Sequence, residues 1–184
     1  MTGEEPPWLR VSRSVFVEVD DVRSPTDSPD VVIDQQRWAD LVGAVLSAEG
    51  ISGSLGLAFV DAVEIAELND KYLGKSGPTD VLSFPIDGLD PLPTGQSESH
   101  GVPTMLGDVV VSPAVAAAQY STHTGSLDDE LALLIVHGVL HVLGHDHAEP
   151  DETERMRRAE FKHLERFHWG GPPPAGFRQE HAEP

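Results

Sequence analysis

Residues 131–147 read LALLIVHGVLHVLGHDH, and the parsing of this stretch decides the fold. Its first half has no polar face. Ser126, followed by Asp128, Asp129 and Glu130, supplies a cap and a first turn of acids that suit the positive end of a helix dipole. Gly144 is placed to stop the helix, because glycine enters the left-handed conformation cheaply. A helix apolar nearly all round is expected at the centre of the protein, packed on every side. Its longest strictly apolar run, Leu131 to Val136, is far below the roughly 20 residues that span a bilayer.

Working outward, two periods alternate. Val15, Val17 and Val19 alternate as in a strand. Asp34 is placed to cap a helix whose apolar face is Trp38, Leu41, Val42, Val45 and Leu46, closed by Gly50. Leu55, Leu57 and Phe59 form a second strand pattern. Asp61, three residues before Glu64, opens a helix through Ile65 and Leu68. Short strands are expected near Asp80–Pro85 and Leu106–Val111, and Ser112-Pro113 reads as a helix start. A last, heavily charged helix covers about Glu152 to His168. Together these predict an α+β fold: a small mixed β-sheet of about four strands packed by about five helices, with a zincin-like metal helix.

One catalytic domain is expected over residues 10–169, with residues 1–9 and 170–184 as disordered tails, the second opening on Gly-Gly-Pro-Pro-Pro. Residues 87–104 are rich in Pro, Gly and Ser and read as a mobile stretch or a functional flap.

The 184 residues hold 12 Lys+Arg against 31 Asp+Glu, a net charge of −19. That argues against nucleic-acid binding through the overall field, so any such contact needs a local positive patch. There are no cysteines, which excludes disulfides, CxxC redox centres and thiolate metal sites. The opening MTGEEPPWLR lacks the basic and apolar regions of an export signal, so the expected location is the cytoplasm.

Metal ligands must then be His, Asp or Glu. His137 and His141, four apart on a helix, fall on one face and can reach one ion. After the Gly144 turn, His147 can supply a third nitrogen. Burying three imidazoles without a common partner would leave several polar groups unsatisfied. Three ligands leave a fourth position for water unless Asp146 or a tail histidine fills it. Asp146 either orients a ligand imidazole or caps the turn. His145 alternates with the ligand positions and is read as pointing away.

The spacing H-x3-H-x5-H is shared with the metzincin peptidases, HExxHxxGxxH. Their general base, the glutamate after the first histidine, is Gly138 here, which argues against peptide hydrolysis.

HGVLHVLGHDH resembles the H-G-x-L-H-L-x-G-Y-D-H signature of the YbeY-type endoribonucleases, the ribosomal RNA maturation factors. Leu68-Asn69 through Tyr72 with Pro78–Pro85 (PTDVLSFP), and Leu106–Pro113 (LGDVVVSP), match two further blocks of that family in the same order. The resemblance covers about residues 55 to 150. It implies one Zn²⁺ on His137, His141 and His147, although imidazole also suits Ni, Cu and Fe. It also implies cleavage of single-stranded ribosomal RNA in 3′-end maturation and quality control of the small ribosomal subunit, with no membrane partner.

Two departures stand out. His145 replaces the family's Tyr, and Leu73 replaces an Arg that commonly follows the Tyr of the LNxxY block. An apolar side chain cannot pair with phosphate, so Lys71 and Lys75 are the candidate substrate-binding charges. Asp146 and Asp80 are the candidates for moving protons. For Asp80 a turn cap is the favoured reading, and for Ser83 a hydrogen-bonded core hydroxyl. Asp108 poses the same choice. The last helix is read as solvated, with Glu152, Glu154, Glu160 and Glu165 pairing with its Arg and Lys. Two other functions fit the same residues: a non-enzymatic ribosome assembly factor with a structural metal, and a metal hydrolase of another substrate.

Overall fold

The computed structural model describes residues 14–86 and 103–179. Residues 1–9, 180–184 and most of the 87–104 stretch therefore lie outside the described residues.

The elements follow the expected order: β1 (Val15–Asp21), α1 (Gln35–Ala48), β2 (Gly53–Phe59), α2 (Ala62–Leu73), β3 (Val81–Pro85), β4 (Met105–Val111), α3 (Pro113–Gln119), α4 (Leu127–Val142) and α5 (Pro150–His163). A π-helical turn, Leu164–Trp169, extends α5. The sheet order is β1-β2-β4-β3. β1 and β4 run parallel to β2, and β3 runs antiparallel to β4 on the edge.

Local chemistry sets the boundaries. Asp34, Asp61 and Ser126 each accept from the backbone N–H three residues on, at Arg37, Glu64 and Asp129, so three first turns lose an orphan donor. Ser112 precedes α3 as expected, but its buried hydroxyl makes no cap bond and finds no partner among the described residues. There Pro113 sets the start by its fixed φ alone.

α4 is buried without a break from Asp129 to Leu140. It lies with α1 on one face of the sheet, against Leu55, Leu57, Phe59, Val109 and Val111. The opposite face is smaller: Ile65 of α2 packs with Val60, Leu82 and Val110. Alternation within β3 divides the two, since Val81 and Ser83 face α4 while Leu82 and Phe84 face α2. The two acids that begin the buried stretch of α4 are paired. Asp129 accepts from Trp169 Nε1 at 2.6 Å and Ser126 Oγ at 2.6 Å. Glu130 accepts from Thr124 Oγ1 at 2.8 Å and Gln119 Nε2 at 3.1 Å.

Past Trp169 the chain, read from sequence as a tail, makes contacts as far as Gln179. Phe177 packs edge-on to Trp169 with ring centroids 4.7 Å apart. No helix among the described residues is long and apolar enough to cross a membrane.

Candidate metal centre

α4 carries His137 and His141 one turn apart, and its C-terminus is built to return the third histidine. Gly144 has φ +90°. Its N–H donates to His141 O at 2.9 Å, and the His145 N–H donates to Leu140 O at 3.0 Å. This paired closure satisfies two end carbonyls and reverses the chain. His147 is then held by its own N–H, which donates to Asp146 Oδ1 at 2.7 Å, and by Thr153 Oγ1, which donates to its carbonyl at 2.9 Å.

The three rings converge. Centroids are 4.6 Å apart for His137 and His141, 4.9 Å for His141 and His147, and 5.5 Å for His137 and His147. One ligand nitrogen from each lies within 4.8 Å of the other two. The Nε2 atoms of His137 and His141 are 3.1 Å apart. A tetrahedral ion with Zn–N bonds near 2.0–2.1 Å sets its donors about 3.3 Å apart, so the donor set fits one such ion.

The outer nitrogens explain why the inner ones face each other. His137 Nδ1 lies 2.7 Å from Glu160 Oε1, and His141 Nδ1 lies 2.9 Å from the His145 carbonyl. An acceptor there requires Nδ1–H, which leaves the Nε2 lone pair pointing inward. Burial pushes the His141 imidazole down to about 4, and the neighbouring His137 and His147 push the same way. At neutral pH the His141 ring is therefore uncharged and able to ligate.

Gly138 has a steric reason. A Cβ there would sit 2.6 Å from Val109 Cγ1 and 3.2 Å from both Ser83 Oγ and Val81 Cγ2. This side of α4 lies on the sheet, so a peptidase-type glutamate would meet β4 instead of the histidines. Ser83 is the core hydroxyl expected, donating to the Gly138 carbonyl at 3.1 Å.

The other sequence candidates lie as follows. Asp146 is exposed and caps the His147 N–H, the turn-capping alternative. Asp80 is buried, with both oxygens engaged in structure: Oδ1 accepts from Val81 N–H at 2.8 Å, and Oδ2 from Gln119 Nε2 at 2.6 Å. The structure ties Asp80 to β3 and α3 and does not bring it to the histidines. Lys71 and Lys75 belong to α2 and its C-terminal turn, across the sheet from α4, where Lys71 Nζ lies 5.0 Å from the Tyr72 ring centre. Asp108 is exposed on β4.

Glu160 corrects the reading of α5 as a solvated helix. It is 1% exposed and touches a candidate ligand instead of a surface cation. Its position in a stripe with Met156, His163 and Leu164, all buried, was the signal available in the sequence: an acid at helical spacing inside an apolar face. The His145 carbonyl carried no such signal.

Comparison with known proteins identifies the family. The profile of a family described as endoribonuclease YbeY matches residues 25–168. A protein named endoribonuclease YbeY from Beutenbergia cavernae is 43% identical over 132 residues, 71% of this chain and 85% of that protein. Another of that name from Thermobifida fusca is 43% identical over 128 residues, 68% of this chain and 81% of that protein. A solution structure from Thermotoga maritima superposes with a TM-score of 0.53 at 22% identity, covering 84% of this chain and 90% of that one. It supports the fold alone.

Proposed function

Because this chain belongs to the endoribonuclease YbeY family, we propose that it is a metal-dependent endoribonuclease. It cuts single-stranded RNA in the cytoplasm, acting in 3′-end maturation of small-subunit ribosomal RNA and in quality control of that subunit. The convergence of His137, His141 and His147 in a chain of that family carries the proposal.

Nε2 of His137 and of His141 with one ring nitrogen of His147 would hold one divalent ion, with zinc the first candidate. Bound there, it would supply concentrated positive charge toward a phosphodiester oxygen. The chain's own residues do the rest. Glu160 and the His145 carbonyl fix the rings of His137 and His141. Gly138 lets α4 lie directly on β3 and β4. Asp146 is the exposed carboxylate that neighbours His147 and accepts its N–H, so it is the candidate to accept a proton. With a net charge of −19, RNA is held by local positive charge. Lys71 on α2 and Lys75 in the turn after it would act as point charges on its phosphates.

The test is cleavage of a single-stranded RNA by metal-loaded full-length protein, compared with chelated protein and with His141→Ala. Cleavage confined to the metal-loaded native chain supports the proposal. Equal rates in all three refute it.

One observation favours a second reading. Leu73, where the family resemblance expects an arginine, is 53% exposed and offers phosphate no partner. A ribosome assembly factor with a structural metal would bind the small subunit and metal, yet leave RNA intact in the same assay.

A further inference from the structure

The residues after Trp169 lie beyond the family match, which ends at residue 168, and they reach back to the histidine cluster through one side chain. Trp169 packs edge-on to Phe161 and Phe177, with centroids 6.0 and 4.7 Å apart. The Phe177 N–H donates to Pro174 O at 3.2 Å, and Gly176 turns at φ +96°. This folds the segment against α5 and delivers Gln179. Its Nε2 lies 2.6 Å from Glu160 Oε2 and 2.6 Å from the Arg157 carbonyl. Both partners are acceptors, so the chemistry fixes the amide orientation: the nitrogen donates both protons.

Glu160 in turn accepts from His137 Nδ1 at 2.7 Å. The result is a continuous chain, Arg157 carbonyl to Gln179 amide to Glu160 carboxylate to His137 imidazole. We propose that Glu160 and Gln179 are positioning residues for the metal centre: Gln179 clamps the Glu160 carboxylate, and the carboxylate holds His137 in the Nδ1–H form with Nε2 toward the other histidines. A carboxylate 1% exposed is costly to bury unless donors meet it. Two of its donors are therefore tied, one to the candidate ligand and one to the C-terminal segment. The consequence for metal affinity rests on the metal reading above, while the ring orientation does not.

Two variants separate the parts. Glu160→Gln keeps the side-chain shape and can still accept from His137, but its NH₂ would then face the NH₂ of Gln179, so one contact is lost in either orientation. Gln179→Ala removes the clamp alone, outside the family-matched region. In full-length protein, Zn²⁺ and Co²⁺ affinities are measured by chelator competition. Long-range ¹H–¹⁵N spectra of the metal-free protein report the His137 tautomer. The expected losses are about 10–100-fold in affinity for Glu160→Gln and roughly 3–10-fold for Gln179→Ala, with His137 passing from one tautomer to a mixture. A merely structural role would lower the unfolding midpoint without moving either readout. Native affinity in both variants together with an unchanged His137 tautomer overturns the proposal. If the native chain binds no metal, the metal reading fails, and the tautomer measurement still decides the clamp.

Discussion

Substituting Gly138 by alanine separates two opposed effects by the sign of the result. Gly138 is in the interior of α4, where Gly→Ala on helix propensity alone gains about 1 kcal/mol. Against this, the new Cβ would stand 2.6 Å from Val109 Cγ1. Val109 is 0% exposed and lies on β4 between β2 and β3, and its β-branched side chain has little rotameric freedom. Ser83 Oγ and Val81 Cγ2, both 3.2 Å away, block retreat along the strand. Relief requires α4 to lift from the sheet, which also stretches the Ser83 bond to the Gly138 carbonyl. Overpacking of this kind costs about 1–3 kcal/mol, and a site closed on three sides belongs in the upper part of that range. The net expectation for Gly138→Ala is a loss of about 1–2 kcal/mol, or roughly 2–8 °C in Tm for a chain of this size. Urea and thermal unfolding of metal-free protein at neutral pH measure it. A variant as stable as the native chain, or more stable by the propensity gain, would refute the packing argument and with it the steric exclusion of a peptidase-type glutamate.

Other outcomes follow from the same structure. Burial holds the His163 imidazole below its usual range despite the bond to Glu49, so the unfolded chain binds a proton at His163 that the native state refuses. Stability should therefore be full above about pH 6.5 and fall as pH drops toward the folded-state value. His163→Gln should lessen that slope and leave the part that the buried His141 contributes, and an unchanged slope would contradict the assignment. Asp129 adds a second, more acidic loss. Burial raises it, but bonds from Ser126, Trp169 and His168 outweigh this and leave it below the ordinary carboxylate range. Its contribution is present above about pH 4 and fades as pH falls through the folded value. Leu134→Ala, at a fully buried position in the middle of α4, should cost about 2–5 kcal/mol by denaturant titration; a change under about 1 kcal/mol would mean that the helix is not central. Zinc at one hundred times its dissociation constant should stabilise the native chain by about 2.7 kcal/mol and His141→Ala far less. Equal shifts in both would place the ion elsewhere.

Much of this architecture was readable because its signals are local. Asp34, Asp61 and Ser126 announced helix starts that the structure confirms by side-chain bonds. The five residues predicted for the apolar face of α1 are the five that are buried. The histidine cluster was legible for the same reason, since a four-residue spacing on a helix and a stopping glycine constrain geometry within a dozen residues. What escaped the sequence is long-range. The insertion of β4 between β2 and β3 depends on which edges pair, and no local pattern encodes that. The separation of Lys71 and Lys75 from the histidines depends on which face α2 covers. Glu160 was grouped with the pairing charges of α5 because its neighbours in sequence are basic, whereas burial assigned its partner from α4. Gln179 contacts a residue nineteen positions away through a segment whose glycines and prolines read as a tail.

The central claim is that three imidazoles from one helix and its return turn grip a single ion. X-ray absorption at the zinc edge of stoichiometrically loaded protein tests it most directly. The account requires one equivalent of zinc with three imidazole nitrogens at about 2.0–2.1 Å, reduced to two, or to no retained ion, by His141→Ala. A native protein that retains no zinc under those conditions, or holds it with fewer than three imidazoles, contradicts the account.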